Sequence, residues 1–242
     1  MIPQRVLVTR PQPGADRTAE RLRTLGFEPV VMPLTETVAL PHVLPEVTPD
    51  LVLATSPQAF RHLAPQIAGS ISGIPLRVTG KATAASARQA GFLDVKETGG
   101  DVSRLMASLS PMIVPGVRIL YLAGHVRRPE LEQHLAARGA GLTVIEVYDT
   151  LSVSYSTDKI RTLNTDGELA AVLLTSVNCV TRLRELTGEP EAGQAIGNAV
   201  LICLSNRIAE AARTLFSNAV RVASVPTEDA LLDCLREALP QA

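Results

Sequence analysis

The sequence has no tryptophan, four phenylalanines and three tyrosines, so aromatic rings make up 3% of its 242 residues. Its core must rest on leucine, valine, isoleucine and alanine. Single-stranded nucleic acid is gripped by exposed rings on which bases stack, and no such platform is encoded. Charge of one sign is missing too: 23 basic against 24 acidic side chains leave a net charge of −1. There is no polybasic tail, so neither nucleic acid nor a membrane surface is expected as a partner, and any basic surface must be local. Cys179, Cys203 and Cys234 are odd in number and show no CxxC spacing, and Cys203 and Cys234 sit among apolar residues. That fits free thiols in a reducing compartment and no metal site. No apolar run reaches the ~18 residues that span a bilayer. MIPQRVLVTR carries no charged-then-apolar leader, and a cytoplasmic protein is expected.

What is present describes a globular α/β chain, 46% apolar and 19% charged. Its length suits one large domain or two small ones. Strand-like runs are VLVT (6–9), PVVMPL (29–34), LVLAT (51–55), LRVT (76–79) and RILYL (118–122). They continue with TVIEVY (143–148), AVLLT (171–175), AVLICL (199–204) and VRVAS (220–224). Helical patterns alternate with them. In ADRTAERLRTLG, Ala15, Ala19, Leu22 and Leu25 share a face and Gly26 ends the pattern. PELEQHLAARG, from Pro129 to Gly139, repeats that design. Strands apolar on both sides that alternate with helices form parallel sheets.

The chain also matches itself. A shift of 113 residues brings Leu7 onto Leu120, Leu22 onto Leu135, Gly26 onto Gly139 and Thr37 onto Thr150. A shift of 120 overlays LVLATSPQAFRHL on AVLLTSVNCVTRL, matching Val52, Leu53, Thr55, Ser56 and Leu63. A shift of 125 brings Ala84, Ala87, Arg88 and Val95 onto Ala209, Ala212, Arg213 and Val220. Three blocks in the same order predict two similar α/β lobes. Ligands favour clefts between lobes and the carboxyl ends of parallel strands. Thr9 and Arg10, Thr55 and Ser56, Gly80 to Thr83, Gly124 to Arg128, and Thr175 and Ser176 all follow strands directly.

One of these turns imitates a nucleotide site. LRVTGKATAASARQAG (76–91) leads a strand through Gly80-Lys81 into a helix. A phosphate loop needs glycine five residues earlier and a hydroxyl next, where this chain has Pro75 and Ala82. The turn still presents free N–H groups at a helix start, which suits an anion or another polar ligand.

These strand ends, taken together, resemble the uroporphyrinogen-III synthase family. The resemblance runs through VLVTRPQPGADRTAERLRTLGFEPVVMPLTE, LVLATSPQAF, TGKATAASARQAGF, RILYLAGHVRRPELEQHLAARGAGLTVIEVYDT and AVLLTSVNCV, in order and over nearly the whole chain. It implies two flavodoxin-like parallel-sheet lobes joined by a two-stranded linker. Residues 1–35 and 153–242 would form lobe 1 and residues 38–149 lobe 2, with linker strands near 36–37 and 150–152. Pro41, Pro45 and Pro49 would open lobe 2 as a stiff non-helical stretch. The implied activity is that of a cofactor-independent lyase of tetrapyrrole (haem) biosynthesis. It would dehydrate and cyclise hydroxymethylbilane, which carries eight carboxylates, inverting ring D through a spiro intermediate. A transient handover from the enzyme that makes hydroxymethylbilane would go with it, and two lobes in one chain need no second copy.

Such a reaction asks chiefly for the right fold of a flexible substrate and for a weak proton donor near the departing hydroxyl. Tyr148, in EVYDT, matches the family's junction tyrosine and is the expected donor; the plain alternative is a strand tyrosine that packs its ring. Ser56 and Ser176 occupy equivalent turns, where helix capping and carboxylate binding are compatible. Thr9 and Thr83 are further candidates for substrate contact, Thr83 through a family position that faces the cleft. Arg10 and Arg128 are the expected partners of substrate carboxylates, with Lys81, Arg127 and Arg207 in reserve. His125 is a possible second donor, and His42, His62 and His134 are assigned nothing. The second copy of the turn departs from the family: LSNRIAEAA has Ile208 where a threonine is usual. That departure keeps a catalytically silent relative open. A two-lobed small-molecule binding protein and a sugar-nucleotide enzyme also stay open.

Overall fold

In the computed structural model of this chain, residues 3–99, 102–165 and 167–239 are described. The outermost residues of the expected lobe 1, 1–2 and 240–242, lie outside them. The elements begin with β1 (Arg5–Val8), α1 (Gly14–Thr24), β2 (Glu28–Val31), β3 (Thr35–Ala39), β4 (Leu51–Ala54), α2 (Gln58–His62) and α3 (Pro65–Ile71). Next come β5 (Leu76–Val78), α4 (Lys81–Gln89), β6 (Val95–Glu97), α5 (Val102–Leu109), β7 (Arg118–Gly124), α6 (Glu130–Ala136) and β8 (Gly141–Ser152). The chain ends with α7 (Thr157–Thr165), β9 (Leu169–Leu174), α8 (Val177–Leu186), α9 (Pro190–Ile196), β10 (Val200–Cys203), α10 (Asn206–Leu215), β11 (Val220–Val222) and α11 (Glu228–Ala238).

The chain divides into two compact units: lobe 1, Met1–Glu36 with Leu151–Ala242, and lobe 2, Thr37–Thr150. Lobe 1 is built on a five-stranded sheet of order β2-β1-β9-β10-β11. Counted along its own chain this is 2-1-3-4-5, the flavodoxin-like order. All its strand pairs are parallel. Both faces are covered, which is why the central strands are apolar along nearly their whole length. Leu7, Val172, Leu174, Leu201 and Cys203 pack on one side, and Val6, Val8, Ala171, Leu173 and Ile202 on the other. Burial pushes the Cys203 thiol up to about 12, so it behaves as a small apolar side chain.

The sheet based in lobe 2 runs β3-β8-β7-β4-β5-β6. Val52, Ala54, Leu120, Leu122, Ile145 and Val147 pack under α2, α3 and α4 on one face. Leu51, Leu53, Ile119, Tyr121 and Ala123, with Leu142 and Val144 beside them, pack under α5 and α6 on the other. Leu120 and Leu122 are fully buried, and alanine at either would cost about 2–5 kcal/mol. The three sequence shifts relate β7 to β1, β8 to β2, β4 to β9, β5 to β10 and β6 to β11. Matched in this way, the order β8-β7-β4-β5-β6 is the order of lobe 1.

Two details depart from expectation. The strand expected over 29–34 ends at Val31, and the chain resumes at Thr35 as β3 in the other sheet. Pro33 has no N–H to give to a strand ladder. Its carbonyl instead accepts from the Tyr155 hydroxyl at 2.7 Å. The short strand β6 was not foreseen, because Val95 is its only apolar residue. Residues 40–50, with their three prolines, carry neither helix nor strand. Among the described residues, no helix is long and apolar enough to cross a membrane.

Candidate functional site

The parallel strands of lobe 2 bring their carboxyl ends to one edge. There β4 leads into Thr55 and Ser56 and β7 into His125, while β8 runs on past both. The pairing of β7 with β8 is regular up to Ala123 opposite Glu146, and then Gly124 pairs with Tyr148. Val147 is therefore an extra residue, a β-bulge, and bulges re-aim the side chains beside them. Ile145 and Val147 face α2–α4, and Leu142 and Val144 face α5 and α6. Strict alternation would send Tyr148 to the second face. It packs with the first.

Half-buried there, the Tyr148 ring lies across the end of β7. A Cβ on Gly124 would come within 2.7 Å of the tyrosine Cζ and 2.9 Å of its hydroxyl. Burial raises the pKa of the phenol and a hydrogen bond with Ser56 partly offsets this. It stays protonated through the neutral range. The Ser56 Oγ also accepts from the Gln58 N–H at 3.2 Å, steadying the start of α2.

On α2, His62 stacks on Tyr148, with ring centroids 6.0 Å apart and planes inclined by 28°. Its Nε2 lies 2.9 Å from Thr37 Oγ1, so the imidazole is held on both sides. Its place follows from local sequence. Pro65 forces the residue before it out of the helical region, and Leu63 and Ala64 are extended, with ψ of 126° and 133°. The helix therefore ends at His62. Burial lowers the His62 pKa, with the nearby Arg61 charge acting the same way, so the ring is neutral at physiological pH. Nothing in the spacing of His62 and Tyr148 marked them as partners.

A charged cluster occupies the opposite face. Arg127 pairs with Glu132 and with Glu146, each at 2.6 Å, and also donates to the carbonyls of Gly124 and His125. Glu146 accepts from His125 Nδ1 at 2.7 Å. That bond raises the His125 pKa, and the bonds from His125 and Arg127 lower that of Glu146. Tyr121, 3% exposed, shares a hydrogen bond of 2.9 Å with Thr55. Arg127 is thus committed inside the lobe, while His125 is 58% exposed at the strand edge.

The other expected site residues divide by availability. Lys81 and Arg207 are exposed at the first turns of α4 and α10. Arg128 is exposed, with Glu130 3.9 Å away. Ser176 caps α8, accepting from the Cys179 N–H at 3.1 Å. Thr83 is buried in the first turn of α4. Thr9 is fully buried and donates to the Leu173 carbonyl at 2.7 Å, so its hydroxyl joins β1 to β9. Arg10 lies over Gly14, bonds Thr18 at 3.2 Å and pairs with Glu228 at 3.4 Å. Glu228 also pairs with Arg21 at 3.6 Å. Among the described residues, no group of three or more His, Cys, Asp or Glu is disposed to hold a metal.

A family model described as Uroporphyrinogen-III synthase HemD matches residues 16–233. The chain belongs to the uroporphyrinogen-III synthase family. A relative from Salmonella typhimurium named uroporphyrinogen-III synthase is 29% identical, over 96% of this chain and 99% of its own. One of the same name from Escherichia coli is 27% identical over the same shares. Among solved structures, uroporphyrinogen-III synthetase from Helicobacter pylori superposes with a TM-score of 0.70 at 15% identity, covering 97% of this chain and 99% of that one. A mutant uroporphyrinogen III synthase from Thermus thermophilus gives 0.53 at 20% identity, covering 98% of each chain. These two likenesses concern the fold of the family.

Proposed function

We propose that this chain is a lyase that closes hydroxymethylbilane into uroporphyrinogen III, losing one water and inverting ring D. Relatives that match nearly end to end carry the name of that enzyme. The observation that carries the chemical assignment is the placement of Tyr148. Of three tyrosines, Tyr155 donates to the Pro33 carbonyl and Tyr121 is buried against Thr55. Tyr148 is turned by a bulge across the open strand edge, protonated and only half-buried.

In the proposed reaction Tyr148 gives its proton to the hydroxyl leaving ring A, which departs as water. Ring D attacks the resulting azafulvene at its substituted carbon to form the spiro intermediate, and fragmentation and reclosure give the inverted ring. Fragmentation breaks the C–C bond from ring D to its old bridge carbon, reclosure forms a new one at the free α-carbon, and the proton that carbon loses returns to Tyr148. The net change is one C–O bond lost and one C–C bond gained, with no oxidant, reductant or group donor needed. A positioned acid contributes about 10²–10⁴-fold. Most of the task is to hold the chain of pyrroles in one fold. Lys81 and Arg128 on lobe 2 and Arg207 on lobe 1 are the exposed cations proposed to take carboxylates, with the N–H groups beside Ser56 and Ser176 as neutral partners. Thr9, Thr83 and Arg10 act from within the packed lobes, by shaping the strand ends.

The test is an isomer assay: freshly made hydroxymethylbilane is incubated with the purified protein and the oxidised products are separated. Type III uroporphyrin above the enzyme-free control is expected. Type I alone with tetrapyrrole still bound would mean a silent relative, in line with Ile208, and type I without binding would refute the reading.

A further inference from the structure

Gly124 is not one of the glycines in the left-handed region, so its backbone would accept a side chain. Space is what excludes one, because the Tyr148 ring fills the place of its Cβ, with Cζ at 2.7 Å, Cε2 at 2.9 Å and the hydroxyl at 2.9 Å. The ring is there because Val147 is bulged out of register. From α2, the His62 imidazole stacks on the same ring and is itself tied to Thr37 in β3. A ring confined by a missing side chain and by an anchored imidazole has few places to go. Its hydroxyl is thereby held beside Ser56.

We propose that Gly124 and His62 are positioning residues for the Tyr148 phenol, the glycine by leaving the space its ring occupies and the histidine by backing the ring from α2. The proposal rests on the reading of Tyr148 as the proton donor. Neither residue need touch substrate. Each acts through the direction in which the phenol points, and misplacement of a reacting group by about 1 Å costs on the order of 10²-fold.

The experiment combines Gly124→Ala, His62→Ala and His62→Phe with turnover kinetics and NMR of the chain labelled at its tyrosine ring carbons, the Tyr148 signal being assigned from Tyr148→Phe. Gly124→Ala should shift the Tyr148 signal and leave that of Tyr155 in place. It should lower kcat by about 10–100-fold with KM little changed. His62→Ala should do the same more weakly, and His62→Phe, which keeps a stacking ring, should restore most of the loss. In a Tyr148→Phe background Gly124→Ala should add nothing, since residues acting as one unit are not additive. An unmoved Tyr148 signal with wild-type kcat overturns the proposal, and so does a full second loss in the Tyr148→Phe background. Should Gly124→Ala fail to fold, the two His62 variants decide by the same readouts. Wild-type turnover by Tyr148→Phe would sink the proton-donor reading instead, and the ring signal alone would then judge the positioning.

Discussion

Thr55 and Ser56 in lobe 2 answer to Thr175 and Ser176 in lobe 1, and there the likeness of the two strand edges ends. The shift that relates β7 to β1 puts Tyr121 opposite Val8 and Gly124 opposite Pro11, and it puts Tyr148 opposite Thr35. The shift that relates β4 to β9 puts His62 opposite Arg182, which pairs with Glu185 at 2.6 Å. In lobe 2 the strand runs on through its bulge, presents a phenol and continues to Ser152, whereas in lobe 1 the matching strand stops short of Pro33. Each edge also has a glycine that makes room for a functional group: Gly124 beneath a tyrosine and Gly14 beneath Arg10. Lobe 1 spends its arginine on a network with Thr18 and Glu228. One arrangement of strands therefore carries a half-buried phenol at one edge and a paired arginine at the other, and the difference lies in a few residues at the strand ends.

Four changes would sharpen or break this contrast. Arg127→Ala has the largest expected effect on stability, because it leaves part-buried Glu132 without its cation and Glu146 with His125 alone. A loss of about 2 kcal/mol is expected, seen as faster amide exchange in lobe 2 and not in lobe 1. Ile208→Thr restores the hydroxyl that the family pattern would have, but buries it among Leu201, Cys203 and Ala209. About 1–2 kcal/mol should be lost in denaturant unfolding with no gain in kcat, and a rise in kcat would mean that the edge of lobe 1 takes part in the chemistry. Glu228→Ala removes the carboxylate shared by Arg10 and Arg21, both partly open to solvent. It should cost lobe 1 no more than about 1 kcal/mol by the same measurement.

The smallest effect is a titration. His125 has a raised pKa because Glu146 accepts its Nδ1 proton, so the stabilisation from this pair is present below the unfolded value of about 6.5. It fades as pH rises through the higher folded value. Imidazole NMR should find His125 titrating above free histidine, and Glu146→Gln should bring it down. An unchanged midpoint in that variant would deny the pair.

Fold was more legible than site, for a physical reason. Strands such as VLV, LVLA and AVLL are buried on both faces, and that requirement is written into every residue they contain. The three internal matches depend only on order, and order survives drift in loop length. Tyr148 was singled out through a resemblance covering most of the chain. The bulge at Val147 was not, because it exists only in the register between two strands. Nor was His62, whose partners Thr37 and Tyr148 lie 25 and 86 residues away along the chain. Thr9 shows the converse: a threonine directly after a strand reads as available, and only the fold reveals that its hydroxyl is spent on the Leu173 carbonyl. Side-chain hydrogen bonds between distant segments leave little periodic trace.

The measurement that bears most directly on the lobe 2 edge as the chemical centre is single-turnover formation of type III product by Tyr148→Phe, beside a lobe 1 control, Tyr155→Phe. The account predicts a fall of about 10²–10⁴-fold for Tyr148→Phe with its circular dichroism unchanged, and wild-type turnover for Tyr155→Phe. Wild-type turnover by Tyr148→Phe, or an equal fall in both variants, would contradict it.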